Sequence, residues 1–286
     1  MFDDKRVDTS GVDDRRGRGG GIPIALGGGG SVLAVILYLA VQFLGGGNVA
    51  SLVPNEVGVG NGAGTASDVR TRCNTDGAID QYNDCYVVKS YNEINEVWTA
   101  RLSGYKPPRL VFFEQGTTTA CGTASSSVGP FYCPGDRSVY IDLGFLAQLQ
   151  RQFGASGRYA QTYIVAHEVG HHIQNLRGTS DRVQAASGSA NGQALGIGLE
   201  LQADCLAGAW SALANKAGNV TITDRELDQA LNAASAVGDD RIQQKTQGRV
   251  DPESWTHGSA QQRRDAFLAG YTTADPARCD ALLPLR

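Results

Sequence analysis

Apolar and polar positions follow one another along this chain in three distinct ways, and each predicts its own kind of element. From roughly Gln193 to Leu213, residues such as Leu195, Leu199, Leu206 and Trp210 make an apolar helical stretch. Further helices are expected after Ser90, around His167, from Thr223 and after Ser259. The last two open with capping boxes, Thr223 with Glu226 and Ser259 with Gln262, in which each side chain satisfies the other residue's free backbone N–H. Alternation over Val139-Tyr140-Ile141-Asp142-Leu143 predicts a short strand within Ser138–Leu143, and Arg109–Glu114 is a second candidate. The third pattern is a run from Val32 to Leu44, apolar apart from Gln42.

That run divides the chain. It is shorter than the roughly twenty residues a membrane span needs. However, Ile22–Leu26 and the surrounding glycines extend the uncharged stretch from Gly19 to Glu56. Arg15, Arg16 and Arg18 precede it, and no lysine or arginine follows until Arg70. The positive-inside rule then predicts a cytoplasmic tip (1–20), a transmembrane anchor (21–47), a flexible glycine- and asparagine-rich linker (48–67) and one globular domain (68–286). The expected location is the cell membrane, single-pass, with the domain extracytoplasmic. A cleaved signal peptide is the alternative, although no clear A-x-A site follows the run. The domain reads as α+β: mainly helical, with a small sheet on one side of a helical bundle.

Charge and cysteine content refine this picture. The formal net charge is −4 with acids and bases interspersed, so no nucleic-acid partner is expected. The glycine runs lack the G-x-x-x-x-G-K phosphate loop. Six cysteines outside the cytoplasm suggest disulfides, and six allow fifteen connectivities. Closeness in sequence favours Cys73–Cys85 and Cys121–Cys133, which leaves Cys205 with Cys279. None stands at C-x-x-C spacing, which argues against a zinc ribbon.

The chemistry is concentrated in His167-Glu168-Val169-Gly170-His171. Positions four apart lie one turn apart on the same helix face. Both imidazoles can therefore reach one zinc ion while Glu168 acts as general base, which is the H-E-x-x-H signature. The chain has four histidines, and three are in this helix. A hydrolytic zinc takes three protein ligands and a water. The offsets at which a metzincin places its glycine and third histidine carry Gln174 and Arg177 here, which excludes that class. Glu200, in the apolar downstream helix, supplies the third ligand in our reading, and Asp204, one turn on, accepts the outer N–H of a ligand histidine. Both acids stand among leucines, where unpaired carboxylates are costly. His172 is about a hundred degrees round the helix from His171 and cannot share the ion; an exposed or supporting place is expected. Gly170 suggests close backbone approach by another segment.

The ordered set of motifs resembles the gluzincin type of metallopeptidase and, more closely, a bacterial family of neutral zinc metallopeptidases. It runs from Val12-Asp13-Asp14-Arg15-Arg16-Gly17 through Pro130-Phe131-Tyr132-Cys133-Pro134, the His167–Gln174 helix and the Glu200–Gly208 segment to His257-Gly258-Ser259 and Arg263. The resemblance implies a zincin-like fold, one Zn2+ per chain held by His167, His171 and Glu200, and Glu168 as catalytic base. It also implies that the Val139 strand borders the cleft and pairs with an extended peptide, unless it is simply a core strand. His257, the one histidine outside the metal helix, is the expected oxyanion donor, with a structural hydrogen bond as the alternative. Arg263 is expected to pair with a buried carboxylate or a backbone carbonyl, and Tyr163 to pack against other rings, with an oxyanion contact as a lesser alternative. The expected function is a membrane-anchored, extracytoplasmic zinc peptidase acting on peptide or protein substrates. The alternatives are a non-catalytic zinc-binding scaffold at the envelope and a zinc amidase acting on cell-wall peptides.

Overall fold

The computed structural model describes Phe2 and residues 7–17, 66–153 and 157–283. Its first strand, β1 (Val12–Asp14), comes from the segment the sequence reading set apart as an N-terminal tip. Three short to long helices follow: α1 (Ala66–Arg72), α2 (Ala78–Gln81) and α3 (Asn83–Arg101). Next come β2 (Arg109–Phe112), the hairpin β3–β4 (Gly116–Thr119, Gly122–Ser125), β5 (Phe131–Cys133) and β6 (Ser138–Ile141). The remainder is helical: α4 (Leu143–Phe153), α5 (Arg158–Leu176), α6 (Thr179–Ala185), α7 (Gly192–Ala217), α8 (Asp224–Ala236), α9 (Asp239–Gln247) and α10 (Ala260–Thr273), then a 3-10 turn, Pro276–Leu282. The domain is thus mainly helical with a small sheet, as the apolar patterning predicts.

The larger sheet has the order β1-β2-β6-β5. β1, β2 and β6 run parallel, whereas β5 is antiparallel to β6. β6 is fully buried and flanked on both sides, so it is a core strand and has no edge to offer a peptide. β5 takes the edge position and packs against α5. The helix expected after Ser90 starts earlier, at Asn83. Cys85, Tyr86, Val87 and Val88 are all buried, and four apolar residues in a row show no helical period. Both capping boxes form as expected.

α5, α7 and α10 make the core that positions the site. Their backbones meet where side chains are missing. A Cβ on Gly170 of α5 would lie 3.0 Å from the Ala203 carbonyl oxygen of α7. Cβ atoms on Gly208 and Gly270 would fall 2.0 Å and 1.9 Å from carbonyl oxygens of Phe267 and Cys205, so α7 and α10 are in near backbone contact. All three expected disulfides are formed: Cys73–Cys85, Cys121–Cys133 and Cys205–Cys279. The last ties α7 to the C-terminal 3-10 turn. Among the described residues no helix is long and apolar enough to cross a membrane. The span expected at 21–47 and nearly all of the linker lie outside them.

Candidate metal centre

His167 and His171 project from consecutive turns of α5 and meet edge to face, with 4.7 Å between ring centroids. Their Nε2 atoms are 3.1 Å apart. Glu200 of α7 closes the group, its carboxylate oxygens 3.2 Å from His167 Nε2 and 3.5 Å from His171 Nε2. All three are buried, and the atoms they offer lie within 4.8 Å of one another.

The outer nitrogens fix the tautomers. His167 Nδ1 is 2.8 Å from Asp204 Oδ1, an ionised acceptor, so the ring proton belongs on Nδ1. His171 Nδ1 donates to Gln174 Oε1 at 2.8 Å, while the Gln174 amide nitrogen donates to the Leu199 carbonyl and to Gln202 Oε1. The two Nε2 atoms therefore face each other and a carboxylate. Burial pushes the Glu200 carboxyl up, but His171 and His167 outweigh it and hold its pKa well below the usual range. Burial likewise pulls His167 down, yet Asp204 and Glu200 prevail and push it up to about 10. The group thus favours positive charge in a buried site. Two imidazoles and a carboxylate are a zinc donor set, so the residues present fit that ion.

Asp204 is the hub behind the ligand candidates. It is completely buried. Arg263 of α10 grips it with two N–H groups, Nε to Oδ2 at 2.8 Å and Nη2 to Oδ1 at 3.1 Å. The Tyr163 hydroxyl donates to the same Oδ1. Burial would raise the Asp204 carboxyl, but Arg263 and His167 hold it down at about 2. It therefore stays ionised and keeps His167 oriented. Tyr163 also packs edge-on against Phe267, which leaves its hydroxyl facing Asp204.

Glu168 and His257 line the same cleft as the three ligand candidates, along with Pro130, Phe131, Phe145 and Leu149. Burial holds the Glu168 carboxyl above its ordinary pKa against the pull of His167 and His171, which suits a proton acceptor. His257 Nδ1 is 3.2 Å from Asp239 Oδ1. Asp239 Oδ2 accepts the backbone N–H groups of Thr256, His257 and Gly258, a loop clamp that fixes the imidazole. His172 points elsewhere. It is buried, with Nδ1 accepting from the Tyr132 hydroxyl and Nε2 donating to the Lys106 carbonyl. Asn175 donates to the same hydroxyl, so Tyr132 clamps β5 to α5. The exposed alternative for His172 fails because Tyr105 and Tyr132 cover it.

Sequence reasoning missed Gln174 and Asp239. Gln174 follows His171 by three residues on one helix, a spacing that could have been read as an orienting partner. Asp239 sits in a polar stretch far from His257 in sequence and carries no such signal.

Comparison with known proteins identifies the family. The family described as "Putative neutral zinc metallopeptidase" matches residues 1–282. An uncharacterized protein of Mycobacterium tuberculosis (strain ATCC 25618 / H37Rv) is 45% identical over 219 residues, covering 73% of this chain and 74% of its own. The uncharacterized protein YpfJ of Escherichia coli (strain K12) is 47% identical over 179 residues, 62% of either chain. No solved structure matches significantly. With nearly its whole length matched, and with its H-E-x-x-H helix facing Glu200, this chain belongs to the neutral zinc metallopeptidase family.

Proposed function

We propose that this protein hydrolyses peptide bonds with one zinc ion held by His167, His171 and Glu200. The observation that carries the reading is the convergence of two oriented Nε2 atoms and a carboxylate beside the buried acid Glu168. A zinc ion in such a set supplies Lewis acidity, making water acidic enough to ionise near neutral pH and polarising a carbonyl.

The protein's own groups do the rest. Glu168 accepts the proton of the attacking water and delivers it to the departing amine nitrogen. His257, held by Asp239, donates a hydrogen bond to the oxygen that gains charge. Asp204 and Gln174 keep the two ligand rings in the productive tautomer. An extended peptide fits better than a small substrate because β5 flanks the cleft and, among the described residues, pairs on one side only. A peptide laid along it gains main-chain hydrogen bonds.

The test is the metal content of the purified full chain beside the Glu200→Ala variant. About one zinc per chain, sharply weakened in the variant, is the expected result. A wild type that stays metal-free in zinc-replete buffer would overturn the catalytic reading and leave a binding module. Undiminished zinc in the variant would remove Glu200 from the ligand set.

A further inference from the structure

The segment before the apolar run is built into the peptidase domain. β1 pairs in parallel with β2 in the register Val12–Leu110, Asp13–Val111, Asp14–Phe112. The ladder is extended at both ends, by Leu110 N–H to the Gly11 carbonyl at 3.0 Å and by Arg15 N–H to the Phe112 carbonyl at 2.8 Å. Arg15 reaches on to the Thr117 hydroxyl and the Thr118 carbonyl of β3. Arg16 is 7% exposed, stacks over the Phe112 ring at 5.0 Å and bridges Asp14 to Asp84 of α3. Upstream, Asp8 and Asn92 exchange two hydrogen bonds, Val7 is buried, and Phe2 bridges to Val220.

Two of the three arginines that suggested a cytoplasmic tip are therefore partners within the fold. In the folded unit the Arg16 guanidinium is shared between two buried carboxylates rather than left as a surface charge. A chain that crossed a bilayer once between residues 18 and 65 would place β1 and β2 on opposite sides, and the ladder could not form.

We infer that residues 7–17 and 66–283 share one compartment as parts of a single folded unit. The apolar run then joins two neighbouring parts of one domain.

Thiol accessibility tests this in the full chain. None of the native cysteines among the described residues is free, and all six are in disulfides, so an introduced thiol is the reactive one. Ser10→Cys places it on the exposed N-terminal turn, and Lys216→Cys, in a separate variant, at the exposed end of α7. Cells producing either variant are treated with a membrane-impermeant maleimide, intact and after permeabilisation, with denatured protein as the reference for full labelling. Both positions should label in the same fraction, whichever it is. Labelling of one only in intact cells and of the other only after permeabilisation overturns the inference. Hydrogen exchange of the purified, unsubstituted full chain reads the docking directly. The Arg15 amide should exchange at least a hundredfold more slowly than an unprotected amide, and free exchange there likewise overturns the inference.

Discussion

At the residue scale the site rests on a division of labour among four carboxylates, set by what each one faces. Glu200 faces two imidazoles and stays ionised, whereas Glu168, buried beside them, is held toward its neutral form. Glu168→Gln removes the proton acceptor and keeps the shape. Peptide hydrolysis should fall by about 10²–10⁴-fold while zinc content, read by elemental mass spectrometry, is unchanged. Asp204→Asn preserves an acceptor for His167 but leaves Arg263 buried without its counter-charge. Loss of about 3–5 kcal/mol in denaturant unfolding is expected, with zinc affinity about 10–100-fold weaker. Equal stability of this variant and wild type would show that Arg263 has another partner. His167, Glu168 and His171 were legible in the sequence because one helical turn separates the two histidines. Asp239 was not, because its partner lies across a loop and neither residue belongs to a periodic pattern.

At the element scale, close helix contact makes the candidate metal centre. Gly270→Ala would drive a methyl group into the Cys205 carbonyl and should lower stability by about 1–3 kcal/mol or more. Gly196, in the same α7 but with open space around it, is the control: Gly196→Ala should raise stability by about 0.5–1 kcal/mol through helix propensity. Thermal melts of the two variants should move in opposite directions. A milder wedge, Gly170→Ala, presses on the Ala203 backbone and should separate α5 from α7 enough to weaken zinc binding before it unfolds the chain. The capping boxes and most helices could be read from sequence because caps and periods are local. β1 could not. Val12-Asp13-Asp14 shows no apolar alternation, and Asp14 is buried only because Arg16 accompanies it.

At the scale of the whole molecule, distant segments hold the centre in place. A chain of hydrogen bonds runs from the C-terminal turn to a ligand candidate: Asp280 accepts from Gln202, Gln202 from Gln174, and Gln174 from His171. The Cys205–Cys279 disulfide, spanning 74 residues, pins that turn to α7. Replacing both cysteines with serine should reduce stability by about 4 kcal/mol by loop entropy, and calorimetry would measure it. The N-terminal strand adds a pH dependence. Burial raises the Asp84 carboxyl, but Arg16 and Arg72 outweigh it and hold its pKa below the ordinary value. A carboxylate so depressed stabilises the fold fully above its unfolded pKa of about 4, and that contribution is lost as pH falls through the folded value. Arg16→Ala should therefore cost stability near neutral pH and flatten the loss on acidification; an unchanged acid limb would detach Asp84 from Arg16. What the sequence determined by itself was the local grammar: which groups share a helix turn, where helices are capped, and which cysteines are near neighbours. Each follows from the 3.6-residue repeat or from short loops, in which few alternatives compete. Tertiary structure decided the rest. Asp239 meets His257 and the first strand joins the helical domain only because a common core packs these segments together; Glu200 was read from its place in an apolar helix, but its distance to the histidines is set by the same packing. Contacts between residues far apart in the chain depend on that packing of every intervening element, and no local pattern encodes it.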